Sequence, residues 1–299
     1  MNGPVNILHL LGRLPLWHHR LWGRVLGFLM GPVLGYRKAV VMENLTNSFP
    51  DKSPREIRAV ARAFYRHLAT IFTEMLWFGA CRGEKGRERL HRSHIVEITN
   101  PEVLNRLYEG AGQLMILQAH TGNWELIGGI RNYSYGPPLS ITPEAFAVSY
   151  LRVRSPFWNE VMAQNRTAPV ADLGFTGYVE AGDILRYVLK HKGIPYGYSF
   201  ITDQHPYNRL QHLSVDFMHQ KTLTMTSAAA LAVKLDMAVV FLRYRCRPGG
   251  GYTMTFVPLS EHAGGDNPED LMREYYRLLE EDLNAQPWNY LWSHKRWKK

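Results

Sequence analysis

Apolar residues recur at intervals of three and four between residues 53 and 80, which is the spacing of one buried helix face. The stretch opens with Ser53, Pro54 and Glu56, which fit a capping box with proline in the first helical turn. The apolar positions then continue from Ile57 to Leu76 without a glycine or proline. The pattern therefore predicts one long helix whose apolar face packs against another part of the chain.

From residue 96 onward, short apolar runs alternate with amphipathic helical patterns. The runs predict strands at 96–99, 113–118, 145–151, 194–201, 238–245 and 252–257. The intervening patterns predict helices near 101–109, 124–132, 155–166, 180–191, 224–235 and 267–285. Such alternation indicates an α/β fold with a mixed sheet, parallel in its centre and flanked by helices, with a less regular antiparallel edge.

The chain is thus expected to consist of a helical region, residues 1–80, packed on an α/β core, residues 81–299. A basic loop from Arg82 to Arg92 is expected to separate the two. Within the helical region, residues 25–36 carry no charge, but a helix of that length spans only about 18 Å of a roughly 30 Å hydrocarbon layer. We therefore expect this segment to lie in a membrane surface rather than to cross it, with a buried pair of core helices as the alternative.

The formal net charge of +9 is concentrated at the two ends of the chain. At the C-terminus, four aromatic residues interleave with five basic ones: Trp288, Tyr290, Trp292 and Trp297 with His294, Lys295, Arg296, Lys298 and Lys299. This pattern is typical of a tail that anchors to a membrane interface or faces phosphate, and a merely solubilising tail is the alternative. Nucleic acid is not expected as a partner, because no zinc-finger spacing, RNP-like strand or recognition helix is present. Only two cysteines occur, far apart, so neither a disulfide framework nor a metal site is predicted.

The sequence from His120 to Glu125 carries the strongest chemical signal. A strand pattern ends at His120, a turn with Gly122 and Asn123 follows, and Asn123 is placed to cap the next helix. In one continuous helix His120 and Glu125 would lie about 140° apart, but across a strand–turn–helix junction they can meet. The spacing therefore favours His120 as a general base and Glu125 as the carboxylate that orients it, although a histidine five residues before a glutamate also occurs by chance. Asn123 is expected beside the substrate, since free amides at a helix start can bind an oxyanion or a phosphate.

The segment His120-Thr-Gly-Asn-Trp-Glu125 resembles the histidine-x4-acid motif of the bacterial lipid A biosynthesis acyltransferases, the lauroyl and myristoyl transferases. Further resemblances to this family run in order along residues 10–299: Tyr36-Arg-Lys, Asn44-Leu45, Phe49-Pro50, Ile201-Thr-Asp203-Gln204 and Trp292-Ser-His294-Lys-Arg296-Trp297-Lys298. Several motifs in one order are more specific than any one of them. One segment departs from the family, because its Tyr-Arg-Pro is replaced here by Tyr150-Leu151-Arg152, which turns the arginine to the other strand face.

The resemblance implies a glycerol-3-phosphate acyltransferase-like fold and attachment to the cytoplasmic face of the inner membrane. It also implies an acyl donor carried by acyl carrier protein or coenzyme A, with no further cofactor. The acceptor would be a hydroxyacyl chain on a phosphorylated glucosamine disaccharide, an anionic glycolipid. The positive net charge independently suits an acidic carrier protein and an anionic lipid.

Three more residues enter the predicted site through the resemblance. Arg166 would hold a phosphate or polarise the thioester carbonyl, and its alternative role is that of a helix C-terminal arginine. Asp203 and Gln204 follow a predicted strand, where they would position the donor or support His120, and Asp203 could otherwise cap a turn. Competing functions are acyl transfer to another lipid (lysophospholipid, aminolipid or glycolipid), non-catalytic lipid binding, and hydrolysis with water as acceptor. A serine-hydrolase elbow is not expected, because Gly-x-Ser-x-Gly is absent.

Overall fold

A mixed sheet with helices on both faces forms the centre of the protein, as a computed structural model describes it for residues 3–206 and 212–297. The helices are α1 Gly3–Gly12, α2 Leu16–Phe28, α3 Lys38–Ser48, α4 Pro54–Gly79, α5 Gly83–Arg92, α6 Pro101–Ala111, α7 Pro156–Arg166, α8 Ile184–Lys190, α9 Ser227–Lys234 and α10 Pro268–Ala285. The strands are β1 Val96–Ile98, β2 Gln113–Gln118, β3 Phe146–Tyr150, β4 Tyr178–Glu180, β5 Tyr196–Ile201, β6 His212–Phe217, β7 Gln220–Met225, β8 Ala238–Cys246 and β9 Tyr252–Ser260. A π-helical turn, Leu29–Val33, continues α2, and 3-10 helices span Trp124–Asn132, Pro143–Ala145, Ala168–Val170 and Ala263–Gly265.

Seven of the described strands form one sheet in the order β1-β9-β8-β2-β5-β3-β4. Strand β2 runs parallel to both of its neighbours, β5 and β8, whereas β8 and β9 pair antiparallel. Strands β6 and β7 form a separate antiparallel pair. The predicted mixed α/β fold with a parallel centre is thereby confirmed.

Strand β2 shows why the sheet lies in the middle of the core. All its residues are buried, and their side chains alternate between two hydrophobic clusters. Met115 and Leu117 belong to the cluster that contains residues of α4, α9 and α10, whereas Leu114 and Ile116 belong to the cluster that contains residues of α6 and the first 3-10 helix. A strand that is buried on both faces has a continuous run of apolar residues, and residues 114–117 of β2 form such a run.

Three local predictions differ from the structure. The expected basic loop at 82–92 is the helix α5, whose low apolar content hid its periodicity. The helix expected at 180–191 begins only at Ile184, because residues 178–180 form the edge strand β4. The pair β6–β7 was not predicted, since its polar positions include the charged Asp216 and Lys221 as well as Gln220.

The expected basic aromatic tail is also wrong for the residues that the structure describes. Trp292 and Arg296 are fully buried, and Tyr290 packs in the same core. The Arg296 guanidinium donates from Nη2 to the Leu223 carbonyl at 2.7 Å and to the Tyr276 hydroxyl at 2.9 Å. The aromatic rings bury large apolar areas and draw the interleaved arginine inward, where it finds hydrogen-bond partners. Lys298 and Lys299 lie outside the described residues.

Helix α2 packs closely on α4 through a stripe of glycines. A side chain at Gly23 would come within 2.8 Å of the Thr70 Cα, and one at Gly27 within 2.6 Å of the Arg66 Cα. The opposite face of α2 and its π-helical continuation exposes large apolar side chains: Trp17, Leu21, Trp22, Val25, Leu26, Phe28 and Leu29. No single helix within residues 3–206 and 212–297 is long and apolar enough to span a membrane. Taken together, residues 16–33 and α3 reach that length and hydropathy, but they are bent by 90°.

Candidate functional site

His120 and Asp203 lie side by side because two parallel strands end at the same level. Strands β2 and β5 are neighbours, with Gln118 paired to Ile201 at their last residues. His120 and Asp203 each follow two residues later, beyond the carboxyl edge where open α/β sheets bind ligands. His120 Nδ1 and Asp203 Oδ1 are 2.8 Å apart.

The surroundings of Asp203 keep its carboxyl group ionised. Burial alone raises the pKa of Asp203, but the attraction of His120 when it is protonated and the hydrogen bond from its ring outweigh burial, and the guanidinium of Arg296 adds to them. The pKa of Asp203 is therefore lowered from its ordinary value. An ionised carboxylate only accepts hydrogen bonds, so we assign the imidazole proton to Nδ1 and the free lone pair to Nε2.

The Nε2 atom of His120 faces a cavity of about 440 Å³. The Nε2 amide of Gln204 lies 3.3 Å from it and can donate to the lone pair. Trp124, Arg166 and Tyr178 also line this cavity, and most of the remaining wall is apolar, including Ile127, Val148, Phe175, Ile184 and Phe200. A reacting group bound in this cavity would thus contact the base His120 and the cation Arg166 in otherwise apolar surroundings.

Glu125 and Arg166 form a buried, bidentate ion pair. Arg166 donates from Nε to Glu125 Oε2 at 2.5 Å and from Nη2 to Oε1 at 2.7 Å. Its Nη1 donates to the Tyr178 hydroxyl at 2.8 Å. Burial raises the pKa of Glu125, but the charge and hydrogen bonds of Arg166 outweigh it, so the pKa of Glu125 is lowered. The pKa of Arg166 is raised by the same pairing, although burial opposes it.

The predicted pairing of Glu125 with His120 is therefore corrected. Glu125 accepts hydrogen bonds from Arg166 and from the Trp124 indole, and Asp203 takes the place beside His120. The reason is the 3-10 helix that begins at Trp124, in which consecutive side chains point about 120° apart. The Trp124 ring packs edge-on against His120 at 5.0 Å, so the next residue is turned toward α7.

Asn123 lies behind the cavity and not in its wall. It occupies the cap position of the 3-10 helix as predicted, but its side chain is fully buried and donates to Glu74 Oε2 at 3.0 Å instead of capping. The buried Glu74 also accepts from the Tyr252 hydroxyl at 2.8 Å and from Arg20 Nε at 3.0 Å. The chain at residue 123 is thus tied to α4 and, through Arg20, to α2.

Gly122 allows the chain to turn tightly after His120. Its φ is +60°, and a side chain there would come within 2.4 Å of the Tyr244 ring. The backbone N–H of Gly122 donates to Asn289 Oδ1 at 2.6 Å. Asn289 in turn donates to the Tyr244 carbonyl at 3.0 Å, which fixes the turn from the C-terminal segment.

Sequence reasoning missed Glu74, Tyr178 and Asn289. Glu74 gave a usable signal, because it is a carboxylate among apolar residues near the end of the long helix, and such a group must be paired if buried. Tyr178 and Asn289 gave none. Arg152, where the family motif is shifted, pairs with Glu180 at 2.8 Å on the surface. Within the described residues, no three His, Cys, Asp or Glu side chains are grouped as metal ligands.

The arrangement suits the activation of a hydroxyl group. The sequence also matches the model of a protein family. The model of the bacterial lipid A biosynthesis acyltransferases matches residues 5–299, nearly the whole chain. A search among curated proteins gave no match. The chain therefore belongs to the bacterial lipid A biosynthesis acyltransferase family, whose members are O-acyltransferases.

Proposed function

We propose that the protein moves a fatty acyl chain from acyl carrier protein or coenzyme A to a hydroxyl of a lipid A precursor, with His120 as the general base. The observation that carries this proposal is the 2.8 Å contact between His120 Nδ1 and Asp203 Oδ1 at the edge of a largely apolar cavity. A carboxylate on one ring nitrogen leaves the other free to take a proton. No enzyme nucleophile is needed, because the acceptor hydroxyl can attack the thioester directly.

In the proposed reaction, His120 carries out both proton transfers and Asp203 supports it. His120 Nε2 takes the hydroxyl proton while the oxygen attacks the thioester carbon. The resulting tetrahedral oxyanion collapses, the carbon–sulfur bond breaks, and the imidazolium returns the proton to the departing thiolate. Asp203 stabilises the imidazolium between the two proton transfers.

Arg166 is the group proposed to stabilise the oxyanion or to hold a phosphate of the acceptor. Its guanidinium lines the same cavity as His120, and Glu125 fixes its orientation with two hydrogen bonds. A cation that is already in place adds no reorganisation cost when negative charge develops. The Gln204 amide donates to His120 Nε2, so it occupies the place where we expect the acceptor hydroxyl to donate when the substrate is bound.

The protein is proposed to work at the cytoplasmic face of the inner membrane, bound to the surface. The exposed apolar face of α2, with Trp17, Leu21 and Trp22, supports such a contact. The lipid acceptor would then reach the site from the bilayer, and the acidic carrier protein would reach it from solution. The net charge of +9 favours both.

Mass spectrometry of lipids from a deletion strain tests the choice of acceptor. We expect lipid A to lack one acyl chain, and the purified protein should restore that chain when given acyl carrier protein thioester and the under-acylated lipid. Loss of a chain from phospholipids or another glycolipid, with intact lipid A, would contradict this acceptor and favour another lipid. Unchanged acyl chains in every lipid class would favour a non-catalytic lipid-binding protein.

A further inference from the structure

A second, almost wholly apolar cavity lies beside the site, next to the helical region. It has a volume of about 480 Å³ and lies between α1, α4 and α7. Its wall is formed by Leu8, Phe72, Met75, Leu76, Val153, Ser155, Trp158 and Met162. The volume falls in the range of pockets that hold small ligands, about 300–1,000 Å³.

Two helices hold this cavity open. Helices α4 and α7 are in tight contact where Gly79 meets the Asn165 side chain, because a Cβ at Gly79 would come within 2.0 Å of its Oδ1. One turn earlier on each helix, Leu76 and Met162 face the cavity instead of each other. The gap is therefore built into the crossing of two helices that also carry Glu74 and Arg166.

The second cavity adjoins the cavity that contains His120. Leu151 and Val153 line the His120 cavity, whereas Val153 and Ser155 line the second one, so a single short segment separates the two. Two aromatic residues of the second cavity's wall are also exposed to solvent, because Trp158 is 50% exposed and Phe72 is 42% exposed. Exposed aromatic side chains beside an apolar hollow are a feature of lipid-facing and ligand-binding surfaces.

We infer that the second cavity binds a hydrocarbon chain of the acceptor lipid while the His120 cavity holds the donor chain; this inference rests on the proposed function. Transfer from an acyl thioester to an acylated lipid must accommodate an apolar chain of each reactant. The cavity beside His120 would already have to hold the thioester and the attacking hydroxyl. The second cavity offers a polar head group almost nothing, because Ser155 is the only polar residue in its described wall and its hydroxyl accepts a hydrogen bond from Trp158 N. Its position next to α1, whose Leu10 and Leu11 are exposed, suits a chain that enters from a bilayer.

Filling the cavity tests the inference by kinetics. In Leu76→Trp a larger side chain occupies the hollow, and Leu189→Trp places the same change on the exposed surface of α8 as a matched control. We expect Leu76→Trp to raise KM for the acylated acceptor at least tenfold, as blocking about two methylenes costs roughly fourfold each. The KM for the thioester donor, its preferred chain length and kcat should stay within about twofold of the control. A change in donor chain preference, or equal behaviour of both variants, would overturn the inference.

A labelling experiment reads the cavity without turnover. A 3-hydroxyacyl glucosamine phosphate with a diazirine at the end of its chain is photolysed with His120→Ala protein, and labelled peptides are identified by mass spectrometry. We expect labels in peptides with residues 72–76 and 158–162, and loss of these labels in the Leu76→Trp variant. Labels confined to the wall around Phe200 and Met225 would overturn the inference. Because no transfer is required, failure of the proposed reaction remains distinguishable from failure of this binding site.

Discussion

Among the single residues of the site, Asp203 has the greatest influence on what His120 can do. Its carboxylate is buried and ionised, so it fixes the proton on Nδ1 and leaves Nε2 basic. Sequence reasoning placed Asp203 at the rim of the site with support of His120 as one possible role, and gave the orienting role to Glu125. Glu125, the acid nearest to His120 along the chain, was thus preferred over Asp203, which the sheet brings next to His120.

Asp203→Asn changes this hydrogen bond with little change in shape. The amide can donate to Nδ1, which favours the tautomer with its proton on Nε2 and removes the base. We expect kcat to fall by about 10²–10⁴-fold, at most as much as for loss of the base itself, with KM little changed. The control is Asp216→Asn, at an exposed acid of the β6–β7 pair, which should retain full activity. Equal rates for the two variants would contradict the orienting role of Asp203.

The Glu125–Arg166 pair makes a separate prediction about stability and activity. Arg166→Met leaves Glu125 buried without its cation, and we expect the free energy of unfolding to fall by about 3–5 kcal/mol. Adding Glu125→Gln removes the uncompensated charge and should restore much of that stability, as measured by urea unfolding. Activity should stay low in the double variant, because the cation in the cavity is still missing. Recovery of activity together with stability would show that Arg166 has a structural role alone.

At the scale of elements, much of the fold could be predicted because its periodic patterns are strong. The helix α4 and the strand β2 follow from capping, apolar spacing and a continuous apolar run. The strand order could not be predicted, since nothing local in β2 or β5 states that they are neighbours. For that reason the contact between His120 and Asp203 was out of reach, even though each residue was expected after the end of a strand.

The turn after His120 is an element on which the site depends. Gly122→Ala adds a methyl group at positive φ and against the Tyr244 ring, so we expect a loss of stability of about 1–3 kcal/mol together with lower kcat. Gly110→Ala is the control, because Gly110 lies in α6 with no atoms near the new methyl group. That variant should be as stable as the wild type or more stable by about 0.5–1 kcal/mol. Thermal unfolding and acyl transfer assays check both, and a fully active Gly122→Ala protein would contradict the importance of this turn.

At the scale of the whole molecule, residues 37–44 of the helical region contact residues 292–294 of the C-terminal segment. Arg37 donates to the Ser293 carbonyl at 2.8 Å, and Asn44 donates to the carbonyls of Trp292 and His294 at 2.8 and 2.9 Å. The first and last motifs of the family resemblance are therefore in contact, which explains why a C-terminal segment expected to be a tail is buried. Helices α3 and α4 also share one hydrophobic core with the sheet.

Membrane attachment makes a prediction for the intact protein. Trp22→Glu puts a charge on the exposed apolar face of α2, and we expect it to weaken binding to vesicles of anionic phospholipid at least tenfold, since burying one large apolar side chain contributes about 1.5–3 kcal/mol. The control is Leu185→Glu on α8, another exposed apolar residue outside the helical region. Co-sedimentation measures both. Equal binding of the two variants would place the membrane contact elsewhere.

The central claim is that His120 takes the proton from the acceptor hydroxyl. The most direct measurement is the single-turnover rate of acyl transfer from acyl carrier protein to a lipid A precursor, compared between wild type and His120→Ala. Circular dichroism and thermal unfolding first establish that the variant is folded. We predict a loss of about 10²–10⁴-fold, which is the usual contribution of general base catalysis. Transfer by folded His120→Ala protein at the wild-type rate would contradict the account.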